Sequence, residues 1–265
     1  MYLSTMRNLK LAVALLLFTF SVGSIAIAQE VKPTDSTEIK KAIEKQIQEK
    51  KAYEDWLKMD WPNLKRFRTD NKKTGLPSTD EKRVVFMGNS ITEGWISNRP
   101  EFFKNHPYIN RGINGQTTPQ MLVRFRADVV NLKPKVVVIL AGTNDIAGNT
   151  GPSTIEMIED NLASMADLAK ANGIKVIMCS ILPAYDYPWK RGLKPYEKII
   201  VVNKWMKDFA TTHGLIYLDF YSSLVDDRPG MKPEYANDGV HPTNLGYGVM
   251  EPLVEKAIAQ ALKSK

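Results

Sequence analysis

Five residues carry types and spacings suited to acyl-transfer chemistry: Ser90, Gly115, Asn144, Asp238 and His241. Asp238-Gly239-Val240-His241 sets an acid three residues before a histidine. A single turn can bring that carboxylate onto the imidazole Nδ1–H, which fixes the tautomer whose Nε2 takes a proton from a hydroxyl. Ser90, in Met87-Gly88-Asn89-Ser90-Ile91-Thr92, offers the hydroxyl. Serine needs such a base, because its free hydroxyl is scarcely ionised near neutral pH. A developing oxyanion also needs donors already in place, and losing one costs about 3 kcal/mol. Gly115, in Asn114-Gly115-Gln116-Thr117, lets a backbone N–H come close to a ligand. Asn144, in Gly142-Thr143-Asn144-Asp145, supplies an amide donor whose charge does not change with pH. Taken singly, Ser90 reads as a helix cap, Gly115 as a turn and Asn144 as a capping residue. Their joint occurrence favours the chemical reading. His106 has no acid nearby in sequence, and His213 closes a predicted helix, where a dipole interaction explains it better.

Elements that could position these residues follow from the apolar pattern. Short apolar runs at 83–87, 136–141, 174–180 and 215–219, of which 136–141 is the strongest, and a weaker one at 108–111 read as strands of a parallel sheet covered on both faces. Helical stretches at 119–131, 153–171, 196–212 and 244–262 lie between and after them. Gly173 and Gly214 stand where helices end before strands. This alternation predicts an α/β fold, a doubly wound three-layer α/β/α sandwich of about five strands. In such folds the ligand crevice lies beyond the carboxyl ends of the strands, where Ser90, Gly115 and Asn144 fall.

The start of the chain has a different character. Residues 1–28 read as an export signal: Arg7 and Lys10, an apolar stretch over 11–20, then Ala26-Ile27-Ala28 before Gln29. An exported protein, periplasmic or extracellular and without stable membrane insertion, is expected. Residues 29–80 form a helical extension and linker, and 81–265 the main domain. Within the extension, Ile39, Ile43 and Ile47, with Tyr53, Trp56 and Leu57, outline an amphipathic helix over 36–60, expected to pack on the protein's own core. It could equally serve self-association. Residues 69–80 read as a linker or surface loop.

Composition narrows the classes further. The 265 residues suffice for one medium domain plus extras. Net charge is +7, and removing Arg7 and Lys10 leaves about +5, scattered among acids, which argues against nucleic-acid binding. One cysteine, Cys179, allows no internal disulfide and sits in an apolar run as a core residue. The three histidines are too dispersed for a zinc site, so no metal or other cofactor is expected.

The four blocks Gly88-Asn89-Ser90-Ile91, Asn114-Gly115-Gln116-Thr117, Gly142-Thr143-Asn144-Asp145 and Asp238-Gly239-Val240-His241-Pro242 resemble, in order, those of the SGNH or GDSL-type esterase and lipase family. The resemblance covers roughly residues 83–262 and implies a flavodoxin-like sandwich. It implies Ser90 as nucleophile, His241 as base and Asp238 as its orienting acid. It also implies an oxyanion hole made by the Ser90 and Gly115 N–H groups and the Asn144 amide. Asn89 departs from the aspartate of the name-giving motif.

The expected activity is hydrolysis of short-chain esters, acetyl foremost, on carbohydrate. Trp95, Tyr185, Tyr187 and Trp189 are the candidate sugar-stacking side chains. A lysophospholipase or a lipid esterase similar to platelet-activating-factor acetylhydrolases is the alternative. A non-catalytic glycan-binding protein on an esterase scaffold is the alternative from another class, and acyl transfer to a sugar or alcohol differs from hydrolysis only in the acceptor.

Overall fold

The computed structural model describes residues 36–263, so the export segment expected at 1–28 lies outside the described residues. No described helix is long and apolar enough to cross a membrane. Strands β1 (Val84–Gly88), β2 (Tyr108–Gly112), β3 (Val136–Leu140), β4 (Lys175–Cys179) and β5 (Ile216–Leu218) form one parallel sheet in the order β2-β1-β3-β4-β5. This is the flavodoxin-like order, whose switch point lies between β1 and β3. Each expected strand is present, within one residue at either end.

Alternation along the strands builds two cores from one sheet. Val85, Met87, Val137, Ile139, Val176 and Met178 face one side. There they meet α5 (Thr118–Asp128), α7 (Ile155–Ala171) and α8 (Pro195–His213) through Met121, Phe125, Leu162, Met165, Val202 and Met206. Val84, Phe86, Val136, Val138, Ile177 and Cys179 face the other. Here α3 (Ser90–Asn98), α4 (Pro100–Lys104) and α10 (Asn244–Lys263) cover them with Trp95, Phe102, Tyr247, Met250 and Val254. The Cys179 thiol is fully enclosed, and burial pushes its pKa up, so it remains a protonated, unreactive core group. Two short helices, α6 (Thr143–Ala147) and α9 (Tyr221–Leu224), follow β3 and β5.

The extension differs in part from expectation. Helix α1 (Ser36–Asp60) forms, but Ile43, Ile47, Tyr53 and Met59 are exposed, so these side chains do not pack on the core. The reason lies in its pattern. One isoleucine per turn among lysines and glutamates makes a stripe narrower than a core-facing helix presents. Surface ion pairs Lys45–Glu49 and Lys50–Glu54 line it instead. The side chains of Ile39, Trp56 and Leu57 lie outside what is described. Residues 69–80, expected as a linker or loop, begin in α2 (Arg68–Thr74) and dock on the domain. The Asn71 amide donates to Ala127 O at 3.1 Å and Asp128 Oδ1 at 2.7 Å, while Asn71 Oδ1 accepts from Arg111 Nη2 at 2.7 Å. Asn71 is thus matched to buried partners, while residues 75–80 remain an exposed loop as expected.

Candidate active site

Strand β1 delivers Gly88-Asn89-Ser90 to the crevice. Asn89 is buried and caps α3 by accepting the Ile91 N–H at 3.0 Å, so Ser90 is the first residue of that helix. Ser90 Oγ lies 3.0 Å from His241 Nε2. His241 Nδ1 lies 2.6 Å from Asp238 Oδ2. The other carboxylate oxygen, Asp238 Oδ1, accepts the backbone N–H groups of Val240 at 2.9 Å and His241 at 2.8 Å. Partial burial works to raise the Asp238 pKa, but the bonds from the His241 ring, the His241 N–H and the Val240 N–H outweigh it and bring it down to about 2. Asp238 is therefore an anion at any working pH, able to steady an imidazolium.

Gly115 lies in the loop after β2, at φ +74°, a left-handed conformation that glycine adopts without a side-chain penalty. Asn144, near the start of α6, is buried and donates from Nδ2 to Gln116 O at 2.9 Å. The Asn144 amide and the Gly115 loop are thus joined directly. An Asn NH₂ group has two donors, and this bond uses one of them.

The supports of this loop were not foreseen from sequence. Thr118 donates its N–H to Asp145 Oδ1 and Oδ2, each at 3.0 Å, and its hydroxyl to Oδ1 at 2.6 Å. Burial raises the Asp145 pKa to about 6, with the Thr118 bonds opposing it. Arg124 is fully buried and donates to Gln116 Oε1 at 2.6 Å, Asp128 Oδ2 at 3.0 Å, Gly88 O at 3.1 Å and Arg111 O at 2.8 Å. Burial lowers its pKa to about 10 while Asp128 opposes the shift, so the guanidinium stays charged. One side chain thereby ties the ends of β1 and β2 to the loop. The sequence held one signal: Asp145 stands inside the Gly142-Thr143-Asn144-Asp145 block.

The four aromatic candidates divide. Trp95 is 1% exposed, stacked on Phe102 and Tyr247 with ring centroids 5.3 Å away in each case. It is a core residue and cannot stack on a sugar. Tyr187 is also wholly buried, against Trp189 at 5.0 Å, so it too is corrected to a packing role. These large apolar rings gain more by burial than a water-lined crevice offers. Trp189 is half-buried with its ring 6.0 Å from that of His241. Tyr185 is exposed, braced by Tyr196 at 5.4 Å, and lies at a cleft of about 230 Å³ lined also by Arg191, Arg228 and Asp238. Among the described residues no group of three His, Cys, Asp or Glu side chains could hold a metal ion.

Residues 86–249 match the model of the GDSL-like lipase/acylhydrolase family. A solved structure from Bacteroides fragilis NCTC 9343, described as that of an acylhydrolase, is 50% identical, with a TM-score of 0.75. The match covers 77% of this chain and 99% of that one. An acetylxylan esterase of Xylanibacter ruminicola is 26% identical over 225 residues, 71% of this chain, which spans 45% of that relative's length. The human platelet-activating factor acetylhydrolase IB subunit alpha2 is 28% identical over 66% of this chain and 76% of its own. The chain belongs to the GDSL-like lipase/acylhydrolase family.

Proposed function

We propose that the protein is an exported serine esterase that removes short acyl groups, acetyl foremost, from carbohydrate through an acyl-enzyme. The observation that carries this reading is the hydrogen-bonded chain from Ser90 through His241 to Asp238. With its Nδ1 proton held by Asp238, His241 has Nε2 free to accept the Ser90 proton as Oγ attacks the ester carbonyl. The negative charge that forms on the carbonyl oxygen is met by the Ser90 and Gly115 N–H groups and the Asn144 amide. His241 returns the proton to the leaving alcohol, and water repeats the cycle on the acyl-enzyme. These steps need no cofactor.

Carbohydrate as the alcohol is supported by the exposed Tyr185 ring on the cleft beside Asp238, and by the acetylxylan esterase among the relatives. Export is supported by the basic, apolar and small-residue pattern of residues 1–28. The acetylhydrolase relative favours a second reading, an acetyl ester of a lipid. Ser90→Ala should lower kcat on an aryl acetate by about 10⁴-fold or more; retained turnover removes Ser90 from the role. The wild-type enzyme, offered acetylated xylan and an acetylated glycerophospholipid side by side, should release acetate faster from the glycan. The reverse preference replaces the carbohydrate reading with the lipid one.

A further inference from the structure

The loop 113–117 carries Gly115 but has no regular structure of its own, and it is held from outside. Its Asn114 N–H donates to Glu93 Oε2 at 2.7 Å. Glu93 lies one helical turn beyond Ser90 in α3, so the same helix that presents the hydroxyl also grips the loop. The approach is close: a Cβ on Gly112 would collide with the Glu93 backbone, so glycine is needed where β2 meets this helix. The other carboxylate oxygen, Glu93 Oε1, accepts from Arg66 Nη2 at 3.1 Å. Two further bonds reach the same N-terminal segment. Gln116 Nε2 donates to Pro62 O at 2.7 Å, and Gln120 Nε2 donates to Trp61 O at 2.8 Å. Residues 61, 62 and 66 precede the stretch shared with the family, 86–249.

We propose that Glu93, backed by the segment 61–66, sets the distance between the Ser90 hydroxyl and the oxyanion donors, and is a positioning residue for ester hydrolysis. The inference rests on the reading of Ser90 as nucleophile and of Gly115 and Asn144 as donors. Glu93 bonds one residue before Gly115 on one side and belongs to the Ser90 helix on the other. Its carboxylate therefore fixes two catalytic parts against each other without touching either. The segment 61–66 closes the outer side: Pro62 O holds the amide of Gln116, whose own backbone carbonyl holds Asn144. A donor displaced by a fraction of an ångström meets the ester in the ground state but misses the oxyanion, so the loss falls on kcat and spares KM.

The test is Glu93→Ala against Glu93→Gln, assayed on an aryl acetate with active sites counted by a serine-directed phosphonate. A merely structural role would lower the number of titratable sites and leave kcat per site unchanged. The expected result is a fall of about 10- to 100-fold in kcat per titrated site for E93A, with KM within about twofold. E93Q keeps an oxygen for the Asn114 N–H and should stay within about threefold of wild type. Arg66→Ala should cost about twofold, since that pair is exposed. An E93A enzyme with full kcat per site, or an E93Q enzyme as slow as E93A, overturns the proposal. Turnover by S90A, measured alongside, would instead remove the nucleophile reading on which it rests.

Discussion

The two sides of the crevice are built on opposite plans. On the base side, Asp238 and His241 form a unit almost complete within four residues. One carboxylate takes two backbone N–H groups and the imidazole of its own turn, and both side chains are 39% exposed. On the side proposed to hold the oxyanion, the loop 113–117 makes little structure alone and is fixed by Glu93, Arg124 and Pro62 O, while Asp145 and Trp61 O hold the start of α5 that follows it. Arg124 there is 0% exposed. On the proposed mechanism the base must be free to turn from proton acceptor into donor at a wet surface. On the same mechanism the oxyanion donors must not move when charge appears, and a buried, cross-linked loop fits that demand.

Substitutions can break this contrast. Asp238→Asn should have the largest effect on rate, about 10⁴-fold in kcat, because the amide favours the wrong imidazole tautomer. Its stability, read by urea denaturation, should change by less than about 1 kcal/mol, as expected of an exposed pair. A large loss of stability would show that the turn is not self-contained. Arg124→Ala should do the reverse of that pattern. Removing it takes the buried donor from Asp128 Oδ2 and from the Arg111 and Gly88 carbonyls, while Asn71 still serves Asp128 Oδ1 and the Ile113 N–H still serves Gly88 O, and costs about 3 kcal/mol of stability. A denaturation midpoint equal to wild type would deny Arg124 its bracing role.

The smallest expected effect is one of pH, and the two sides differ in sign. The raised Asp145 pKa means that the folded state disfavours its charge. Its contribution to stability is full below the ordinary carboxylate range near 4 and is lost as pH rises through about 6. The lowered Asp238 pKa gives stability that is present above that range and lost as pH falls towards 2. Asp145→Asn should flatten the stability profile between about pH 4 and 6.5, and Asp238→Asn between about 4 and 2. Profiles that keep the wild-type slopes in those windows would contradict the two assignments.

The same contrast explains what could be read from the sequence. An apolar run announced β3 most clearly, because a sheet covered on both faces leaves little room for unpaired polar residues, whereas β2 was the faintest, its Asn110 and Arg111 being answered by hydrogen bonds to Thr92 O and Asn71 Oδ1. Asp238 and His241 were visible because their partnership is local. The braces were not. Arg124 to Gly88, Gln116 to Pro62 and Glu93 to Asn114 join residues 36, 54 and 21 positions apart, and no local pattern encodes such distances. Trp95 misled for a related reason. Standing five residues after Ser90, it lies on the inner face of α3 against Phe102 and Tyr247, and position along the chain does not say which face of a helix looks outward. Residues 75–80 are the exposed loop their polarity indicates, but 69–74 are helical, and there Asn71 answers a buried arginine and a buried aspartate that no local pattern reveals.

The bond between Ser90 and His241 spans 151 positions of chain. During synthesis, the whole sheet emerges before His241. On the proposed mechanism, a chain stopped short of residue 238, or one whose final helix has not yet docked, carries an ordinary alcohol at position 90. Reactivity and completed topology would then arrive in the same event, leaving unfinished or unravelled copies chemically silent.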